Sequence, residues 1–461
     1  MAPDMVAELL AECGLPPGTS ERVTVLGEDQ AYATTFPIVE CAASVLAAIG
    51  ATASLLWEER TGETQEVTVA RGHAGASLVG FLFQRLEDGE IPLPASRLDH
   101  PLVQLYPCRD GRWVHLHGAL PHLAERTVGV LGCAADSPKE TVAERVSQWD
   151  ALALEEALAA AGTCGAMVRA ADEWDGHPQA AAIGPLGRVS VEKIGDSPPE
   201  PASREPGRPL GGLRVLDLTR VLAGPTGGRT LAEHGADVLL LNSPHLVNVP
   251  VFVMDTSHGK RSAHLDLNQA DGVASLRDLA RGADVFSQGY RGGALEGRGF
   301  GPDALAELRP GMICVTINCY GDAGPWRKRA GWEQMAQTVS GIAAAQGAPD
   351  HPALIAAAAC DYTTGYLAAL GAMGALWRRA HEGGSYHVRV SLCQTAMWFT
   401  HATKTSGEAK GFGDTAAYMT ASETPYGRLH HLAPVVRMSA TPPRWERPTA
   451  PIGTHQPEWA S

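Results

Sequence analysis

The chain has 461 residues, of which 44% are hydrophobic and 19% are charged, and its formal net charge is −14 at pH 7. A chain of this length exceeds one ordinary hydrophobic core, so we expect at least two lobes. The negative charge argues against a nucleic acid or a membrane surface as the main partner, although a small anionic ligand needs only a local cationic pocket.

The cysteines and the amino terminus bear on the compartment and on metal binding. The nine cysteines form neither a CxxC pair nor a Cys/His cluster with zinc spacing. We therefore expect no metal, and a reducing, cytoplasmic location. The start of the chain, MAPDMVAELLAECGLP, carries acidic residues where a secretory signal needs basic ones, so we expect no signal peptide.

The first half of the chain predicts a small α+β unit. It begins with an Ala-rich helix over Glu40–Trp57, whose apolar stretch is too weakly hydrophobic for a membrane span and is typical of a buried helix. Strands are predicted over Glu66–Val69 and Gly111–Gly118, each after a turn. Further helices are predicted over Leu120–Leu131, Lys139–Trp149 and Leu152–Ala161.

A proline-rich run over 196–210 separates this half from the next and is predicted to be a linker. Strands then alternate with helices, which is typical of a parallel, doubly wound α/β sheet. The predicted strands are Leu213–Leu218, Ala236–Leu241, Ser262–Leu267, Ala283–Phe286, Ile313–Asn318 and His387–Leu392. The predicted helices are Arg229–Gly235, Gly272–Arg281, Pro302–Leu308, Trp332–Ala345 and Tyr362–Arg379, and Gly224–Gly228 is predicted to be a glycine-rich turn.

A weak internal repeat links the two halves. Residues from Glu40 onward match residues from Asp361 onward at a constant offset of 321 positions, without a gap, through helix, turn and strand. Two readings stay open, a true duplication or two unrelated helix–turn–strand units of Ala-rich composition.

Cationic residues follow several predicted strands. Arg220 precedes a turn at Ala223-Gly224 that opens a helix, an arrangement suited to a diphosphate because helix N-termini donate N–H groups and arginine binds bidentately. The alternative is an ordinary strand–turn–helix with a surface arginine. Lys260 and Arg261 lie in a second cationic stretch that also contains His258, and this stretch is either an anion site or a salt-bridged loop.

Arg291 and Arg298 lie in a third loop, which follows the strand Ala283–Phe286. Ligands of doubly wound sheets bind beyond the carboxyl ends of the strands. Because Arg220 and Arg291 both lie just past strand ends, we expect these two side chains to converge there.

Several of these segments, in one order, are similar to the motif series of class III CoA-transferases, a superfamily that includes formyl-CoA transferase, carnitine CoA-transferases and α-methylacyl-CoA racemase. The segments are PLGGLRVLDLTRVLAGP from Pro209, HGADVLLL from His234, HGKRSAHLDL from His258, ADVFSQGYRGGALEGRGFG from Ala283, YGDAGPW from Tyr320 and DYTTGYLAALGA from Asp361. The resemblance covers Leu210 to about Leu392. It implies a Rossmann-like large domain joined by linkers to a small domain, often in interlocked dimers.

The same resemblance implies that Asp361 is the catalytic carboxylate. In the family the matching aspartate attacks an acyl-CoA thioester and forms a mixed anhydride. CoA then forms an aspartyl thioester, and the acceptor acid takes the acyl position. From the pattern alone, Asp361 is instead a natural helix N-cap. The resemblance further implies that Arg220, Ala223, Gly224, Lys260, Arg261 and Arg298 contact the CoA nucleotide and diphosphate, and we add Arg291 for its place after a strand.

The sequence departs from the family pattern at several positions. Gly289 stands where many members have an asparagine near CoA, and Trp332-Glu333 stands where the racemase branch has a histidine base followed by an acidic residue. Losing that histidine counts against racemisation, which needs two acid/base groups, unless Glu333 substitutes. Glu40 takes the place of Asp361 in the first copy, which predicts a vestigial site, and the glycine-rich flap of some family transferases has no clear match.

These observations predict residues 1–195 as a degenerate family copy with a small α+β domain, 196–210 as a linker, and 211–461 as the CoA-binding and catalytic domain. The predicted function is transfer of CoA between an acyl-CoA and a carboxylic acid, in a homodimer. Two alternatives stay open, an acyl-CoA racemase or isomerase and a CoA-binding family member without activity.

Overall fold

The computed structural model of the protein describes residues 2–28, 31–91, 100–118, 120–348 and 350–460. Its strands, in chain order, are β1 Val23–Leu26, β2 Val67–Ala70, β3 Arg85–Leu86, β4 Leu105–Pro107, β5 Trp113–Leu116, β6 Gly165–Met167, β7 Ser190–Gly195, β8 Arg214–Leu218, β9 Asp237–Asn242, β10 Lys260–His264, β11 Val285–Gln288, β12 Ile313–Asn318, β13 Ser385–Ser391, β14 Met419–Thr424, β15 Gly427–Leu432 and β16 Val436–Met438.

The α-helices are α1 Ala2–Glu12, α2 Ile38–Thr61, α3 Arg71–Ser77, α4 Pro121–Leu131, α5 Lys139–Val146, α6 Ala151–Ala160, α7 Ala171–Asp175, α8 Pro178–Ile183, α9 Ala223–Glu233, α10 Pro250–Thr256, α11 Ala270–Arg281, α12 Pro302–Leu308, α13 Glu333–Val339, α14 Ile342–Gln346, α15 Ala359–Glu382 and α16 Leu392–His401.

The largest sheet has seven strands in the spatial order β10-β9-β8-β11-β12-β13-β7. All neighbouring pairs are parallel except β13 with β7. Alternate side chains of β8 face opposite ways, because Val215 joins a core with α9 and α15 whereas Leu216 joins a core with α11 and α12. Helices therefore cover both faces, and the predicted doubly wound α/β fold is confirmed.

A smaller α+β unit is present, but it is shorter than predicted, because α2 and β2 join the core of the large sheet instead. It consists of the antiparallel sheet β4-β5-β6 and the helices α4, α5 and α6. Tyr106 and Val114 from the sheet pack against Leu131, Val142 and Leu154 from the three helices in one buried cluster. This core is separate from the two cores of the large sheet, so the unit has its own apolar interior.

The helices of the internal repeat correspond over their whole length. Helices α2 and α15 have 24 residues each, and both their first and last residues are 321 positions apart. The short helix that follows the next strand also corresponds, since α3 begins at Arg71 and α16 at Leu392. Among the described helices, α2 is long and apolar enough for a membrane span, so the expectation that it is too weakly hydrophobic was wrong. Its apolar window is entirely buried inside the protein, as predicted for a core helix.

Two predicted elements differ from the structure. The predicted turn over Gly224–Gly228 is the first part of helix α9, and its glycines serve helix packing, since a Cβ at Gly227 would lie 3.1 Å from the carbonyl oxygen of Gly365. The predicted helix over Trp332–Ala345 is divided into α13 and α14 by Gly341, which has a φ of 96°.

Three segments join the halves in ways that local patterns do not show. Strand β7, from before the proline-rich run, closes the large sheet beside β13. Strands β15 and β16 return to pair with β3 and β2 of the first half. The run over 196–210 has neither helix nor strand, and the division into domains at its two ends stays a prediction.

Candidate active site

A cleft with a volume of about 420 Å³ opens at the carboxyl ends of four parallel strands. Its walls come from the segments after β8, β11, β12 and β13, from the start of α15, and from α4 of the small unit. Strands β8 and β11 are neighbours from which the chain proceeds in opposite directions across the sheet. The cleft therefore lies at the topological switch point, where doubly wound sheets bind ligands.

Asp361 faces this cleft from the first turn of α15. It is not the N-cap, which the sequence pattern alone had favoured, since Ala358 holds that position. The Asp361 side chain is 9% exposed, and its carboxylate has no hydrogen bond or ion pair with any of the residues described. A nearly buried carboxylate without partners is costly, and because such groups cluster at functional sites, Asp361 is a candidate functional residue.

Glu333 lies directly behind Asp361. As the first residue of α13, it accepts hydrogen bonds from the backbone N–H of Asp361 at 2.5 Å and of Cys360 at 3.2 Å, and from the side chain of Gln337 at 2.7 Å. The first N–H groups of a helix lack internal partners, and here a second helix supplies the acceptor. Glu333 thus fixes the helix start that carries Asp361.

The two carboxyl groups are electrostatically coupled. Burial, followed by the nearby Glu333 carboxylate, raises the pKa of Asp361 well above its usual range. Burial also raises the pKa of Glu333 to about 7, although the hydrogen bonds from Gln337 and from the backbone of residues 360 and 361 oppose that rise. Asp361 therefore holds a proton at neutral pH more readily than an exposed aspartate does.

The other charged residues of the cleft wall are cationic. Its arginines are Arg126, Arg220, Arg291, Arg327 and Arg329, and among the described lining residues Asp361 is the one acid. Of these arginines, Arg329 is ion-paired, at 2.7 Å with Glu156, and the other four have no ion pair within the described ranges. In a protein of net charge −14, such a wall favours an anionic ligand.

Three of these arginines come close together around His122. A Cβ at Gly162 would lie 3.1 Å from Nη1 of Arg126 and 3.7 Å from Nη1 of Arg291. Burial, and then the charges of Arg126, Arg291 and Arg220, lower the pKa of His122. Arg126 and His122 lie on α4, so the small unit and the large sheet both contribute to this cationic cluster, defined as His122, Arg126, Arg220 and Arg291.

The structure brings together five of the predicted site residues: Asp361, Arg220, Ala223, Gly224 and Arg291 line the cleft. Gly289 lines it too, and next to Arg220 the backbone of Val221 takes a φ of 70°, a strained value for a β-branched residue.

Three other predicted CoA contacts lie elsewhere. Lys260 is fully buried and donates to Asp217 and to the carbonyl of Pro225, both at 2.7 Å. Arg261 is paired with Asp237 at 2.8 Å. Arg298 is exposed and bonds to Leu267 and Asn268, away from the cleft wall. The salt-bridged alternative describes Lys260 and Arg261, and their assignment to CoA stays a prediction.

The first copy of the repeat holds its carboxylate differently. Glu40 occupies the third residue of α2, as Asp361 does in α15. Arg71 donates to both Glu40 oxygens, at 2.5 and 3.0 Å. The position that corresponds to Arg71 in the second copy is Leu392, which lines the cleft and offers no charge to Asp361. The carboxylate is therefore ion-paired in α2, whereas in α15 it has no such partner among the described residues.

The family model described as "CoA-transferase family III" matches residues 4–192 and 210–425. "Acetyl-coenzyme A transferase nodX" of Hypoxylon pulicicidum is 33% identical over 388 residues, which are 74% of this chain and 65% of that protein. "Succinyl-CoA--D-citramalate CoA-transferase" of Chloroflexus aurantiacus is 31% identical over 42% of this chain and 52% of its own.

Among solved structures, a CAIB/BAIF family protein from Brucella suis is 28% identical, with a TM-score of 0.39, over 48% of this chain and 65% of its own. The chain thus spans between about half and 65% of the length of the relatives named here.

Proposed function

The chain belongs to CoA-transferase family III, and from that premise we propose that it moves CoA from an acyl-CoA donor to a carboxylic acid through covalent intermediates on Asp361. The observation that carries this proposal is the unpartnered Asp361 carboxylate in an otherwise cationic cleft. We also propose, from the sequence, a homodimer in the cytoplasm.

The charge of the cleft fits CoA. Its diphosphate and 3′-phosphate are strong anions, and arginine binds phosphate oxygens bidentately. The cationic cluster of His122, Arg126, Arg220 and Arg291 offers three guanidinium groups without ion-pair partners in the described part of the chain. A CoA phosphate at this cluster would relieve the repulsion between these like charges.

The proposed reaction proceeds in four balanced steps. An Asp361 oxygen attacks the thioester carbonyl and the carbon–sulfur bond breaks. This step releases CoA thiolate and forms an anhydride between Asp361 and the acyl group. The thiolate attacks the aspartyl carbonyl and expels the donor acid, which leaves an aspartyl-CoA thioester. The acceptor carboxylate then displaces the thiolate to form a second anhydride. The thiolate attacks the acceptor carbonyl, so that the new acyl-CoA forms and Asp361 is regenerated.

The surroundings of Asp361 suit these steps. Anhydrides hydrolyse readily, and an aspartate that is 9% exposed meets little bulk water. Only the ionised carboxylate is a nucleophile, so the raised pKa of Asp361 predicts activity that increases with pH. Activity is lost as the pH falls through that raised pKa, at a higher pH than for an exposed aspartate.

Replacing Glu333 by glutamine is expected to shift the acidic limb of this pH profile to lower pH. Glutamine keeps an oxygen that accepts from the N–H of Asp361, but it removes the charge that raises the pKa of Asp361. The measurement is kcat/KM against pH.

The matched control for this variant is Glu233→Gln. Glu233 is also buried, its pKa is raised by burial to about 8, and it does not line the cleft. An unchanged acidic limb in Glu333→Gln, or an equal shift in Glu233→Gln, would contradict the coupling.

Covalent trapping tests the function itself. The protein is incubated with acyl-CoAs and acids, quenched with hydroxylamine or borohydride, and mapped by mass spectrometry, and modification at Asp361 is the expected result. Deuterium uptake at Cα without an adduct would indicate an isomerase. CoA binding with neither outcome would indicate a protein without activity.

The site does not favour an isomerase, because Trp332 offers no base and Glu333 is turned to the backbone rather than to the cleft.

A further inference from the structure

The two copies of the repeat present their carboxylates in the same backbone geometry. The residues that cap α2 and α15 have nearly the same conformation, with φ −79° and ψ 51° at Pro37 and φ −85° and ψ 51° at Ala358. The strand that follows each helix, β2 or β13, lies between one parallel and one antiparallel neighbour. Each strand enters a short helix through an extended N-cap, and the first helical residue is Arg71 in one copy and Leu392 in the other. Arg71 and Leu392 therefore hold equivalent positions.

In the first copy, Arg71 binds the carboxylate on both sides. Its Nε and Nη2 atoms donate to the two oxygens of Glu40 at 2.5 and 3.0 Å. Such a bidentate pair stabilises the ionised carboxylate and occupies a lone pair on each oxygen. A carboxylate held in this way is a poor nucleophile, because a hydrogen bond to a charged group must be lost before an oxygen can attack.

In the second copy, Leu392 lies beside the carboxylate. It is 5% exposed and lines the cleft together with Asp361. The N–H of the next residue, Cys393, donates to the carbonyl of Cys319 at 2.9 Å. Burial raises the pKa of the Cys319 thiol, and the nearby Cys393 and Asp361 add to that rise. The start of α16 is therefore fixed close to Asp361.

Among the described residues, no cation does for Asp361 what Arg71 does in the first copy. The titratable groups that interact with Asp361 are Glu333 on α13, Cys319 after β12 and Cys360, the preceding residue. None of the three carries a positive charge. After burial, Glu333 is the group that raises the pKa of Asp361, which is the opposite of what a guanidinium does.

We propose that Leu392 keeps Asp361 reactive, because an apolar side chain at this position leaves both carboxylate oxygens free to attack a thioester. This rests on the proposed function, in which Asp361 is the nucleophile. Leu392 acts through Asp361, so it is a positioning residue and not a catalytic one. The arrangement costs stability, since burying a carboxylate without a partner is unfavourable. Position 392 therefore favours reactivity over stability, whereas position 71 favours stability.

Leu392→Arg rebuilds the ion pair of the first copy at Asp361. We expect kcat/KM at pH 7 to fall by at least about 100-fold, which corresponds to the loss of two hydrogen bonds to a charged group before attack. The guanidinium also favours the ionised carboxylate, so the acidic limb of the residual activity should move to lower pH by about 1–3 units. The measurement is kcat/KM against pH. An acidic limb that stays in place would overturn the proposal, whatever the rate.

Two further variants separate charge from size and from a general effect. Leu392→Met lengthens the side chain without a charge, so the acidic limb should stay in place and kcat/KM should remain above about a tenth of the wild-type value. Leu152→Arg makes the same change at an exposed leucine of α6 outside the cleft and is expected to alter neither quantity. If Leu392→Arg does not fold, Leu392→Lys introduces a slimmer cation with the same expected shift. An equal shift in Leu392→Met or Leu152→Arg would contradict the proposal.

A double-mutant cycle in unfolding separates this proposal from the proposed function, because stability needs no turnover. Leu392→Arg is expected to raise the unfolding equilibrium constant at least about fivefold more in the Asp361→Asn protein than in the wild type, since only the carboxylate pairs with the guanidinium. If no acyl-CoA is turned over, transferase function fails, yet this coupling still supports the assignment of position 392. If transfer occurs and the coupling is absent, the proposal about Leu392 alone fails.

Discussion

Asp361→Asn is expected to lower the rate of CoA transfer by at least about 1000-fold, because an amide cannot form the anhydride or the aspartyl thioester. Asparagine has the same shape, and the Asp361 side chain makes no hydrogen bond or ion pair with the described residues, so the fold should not suffer. Removing a buried carboxylate whose pKa is raised is expected to leave stability equal or higher at neutral pH. Initial rates and urea unfolding measure both.

The repeat provides the control for this variant. Glu40→Gln makes the same chemical change at the corresponding position of α2. Glu40 is ion-paired with Arg71, so this variant is expected to lose stability but to keep its transfer rate when folded. A transfer rate that falls in folded Glu40→Gln, or one that is retained in Asp361→Asn, would contradict the assignment of Asp361 as the nucleophile.

Lys260→Met is expected to destabilise the protein by about 3–5 kcal/mol, the usual cost of leaving one partner of a buried ion pair alone. The side chains of Lys260 and Asp217 are both fully buried, and their charged atoms lie 2.7 Å apart. Asp217 on β8 also accepts the N–H of Thr219, and its pair with Lys260 on β10 joins these two strands across β9, near the start of the cleft loop. Denaturant unfolding measures the loss.

A double-mutant cycle separates this role from a contact with CoA. Asp217→Asn alone leaves the buried ammonium of Lys260 without a charged partner. Combining it with Lys260→Met removes both charges, so the double variant should regain part of the stability. A Lys260→Met protein of unchanged stability whose KM for acyl-CoA rises would instead establish the CoA contact that the family resemblance implies.

The sequence predicted well whatever depends on local pattern or on ordered motifs. The strands of the large sheet follow from short apolar runs, and Arg220 and Arg291 meet because parallel strands end at one edge. The motif series identified Asp361 as the candidate carboxylate, but the sequence pattern placed it at the N-cap rather than within the first turn. Ala358 is the N-cap because Glu333, which precedes Asp361 by 28 residues, supplies the acceptor that a capping side chain would have given.

Contacts between residues that are far apart in the sequence could not be predicted. Lys260 stands in a cationic stretch, but its partner Asp217 lies two strands before it, on a strand read only as apolar. Arg126 and His122 carry no motif and reach the cleft only because α4 packs beside the loop after β11. Glu40 was predicted to be vestigial from its altered side chain, and its ion pair with Arg71 supplies a physical reason that spacing could not show.

The exchange of strands between the halves has a consequence for how such a chain can be divided. Strand β7 completes the later sheet, and β15 and β16 complete the earlier ones. Cutting the backbone within 196–210 would leave each fragment with an unpaired edge, so the fragments should remain associated and refold only together. The two halves are consequently not exchangeable modules. We therefore expect the two fragments to complement each other when they are produced together. A recombinant in which one half alone is replaced is not expected to fold.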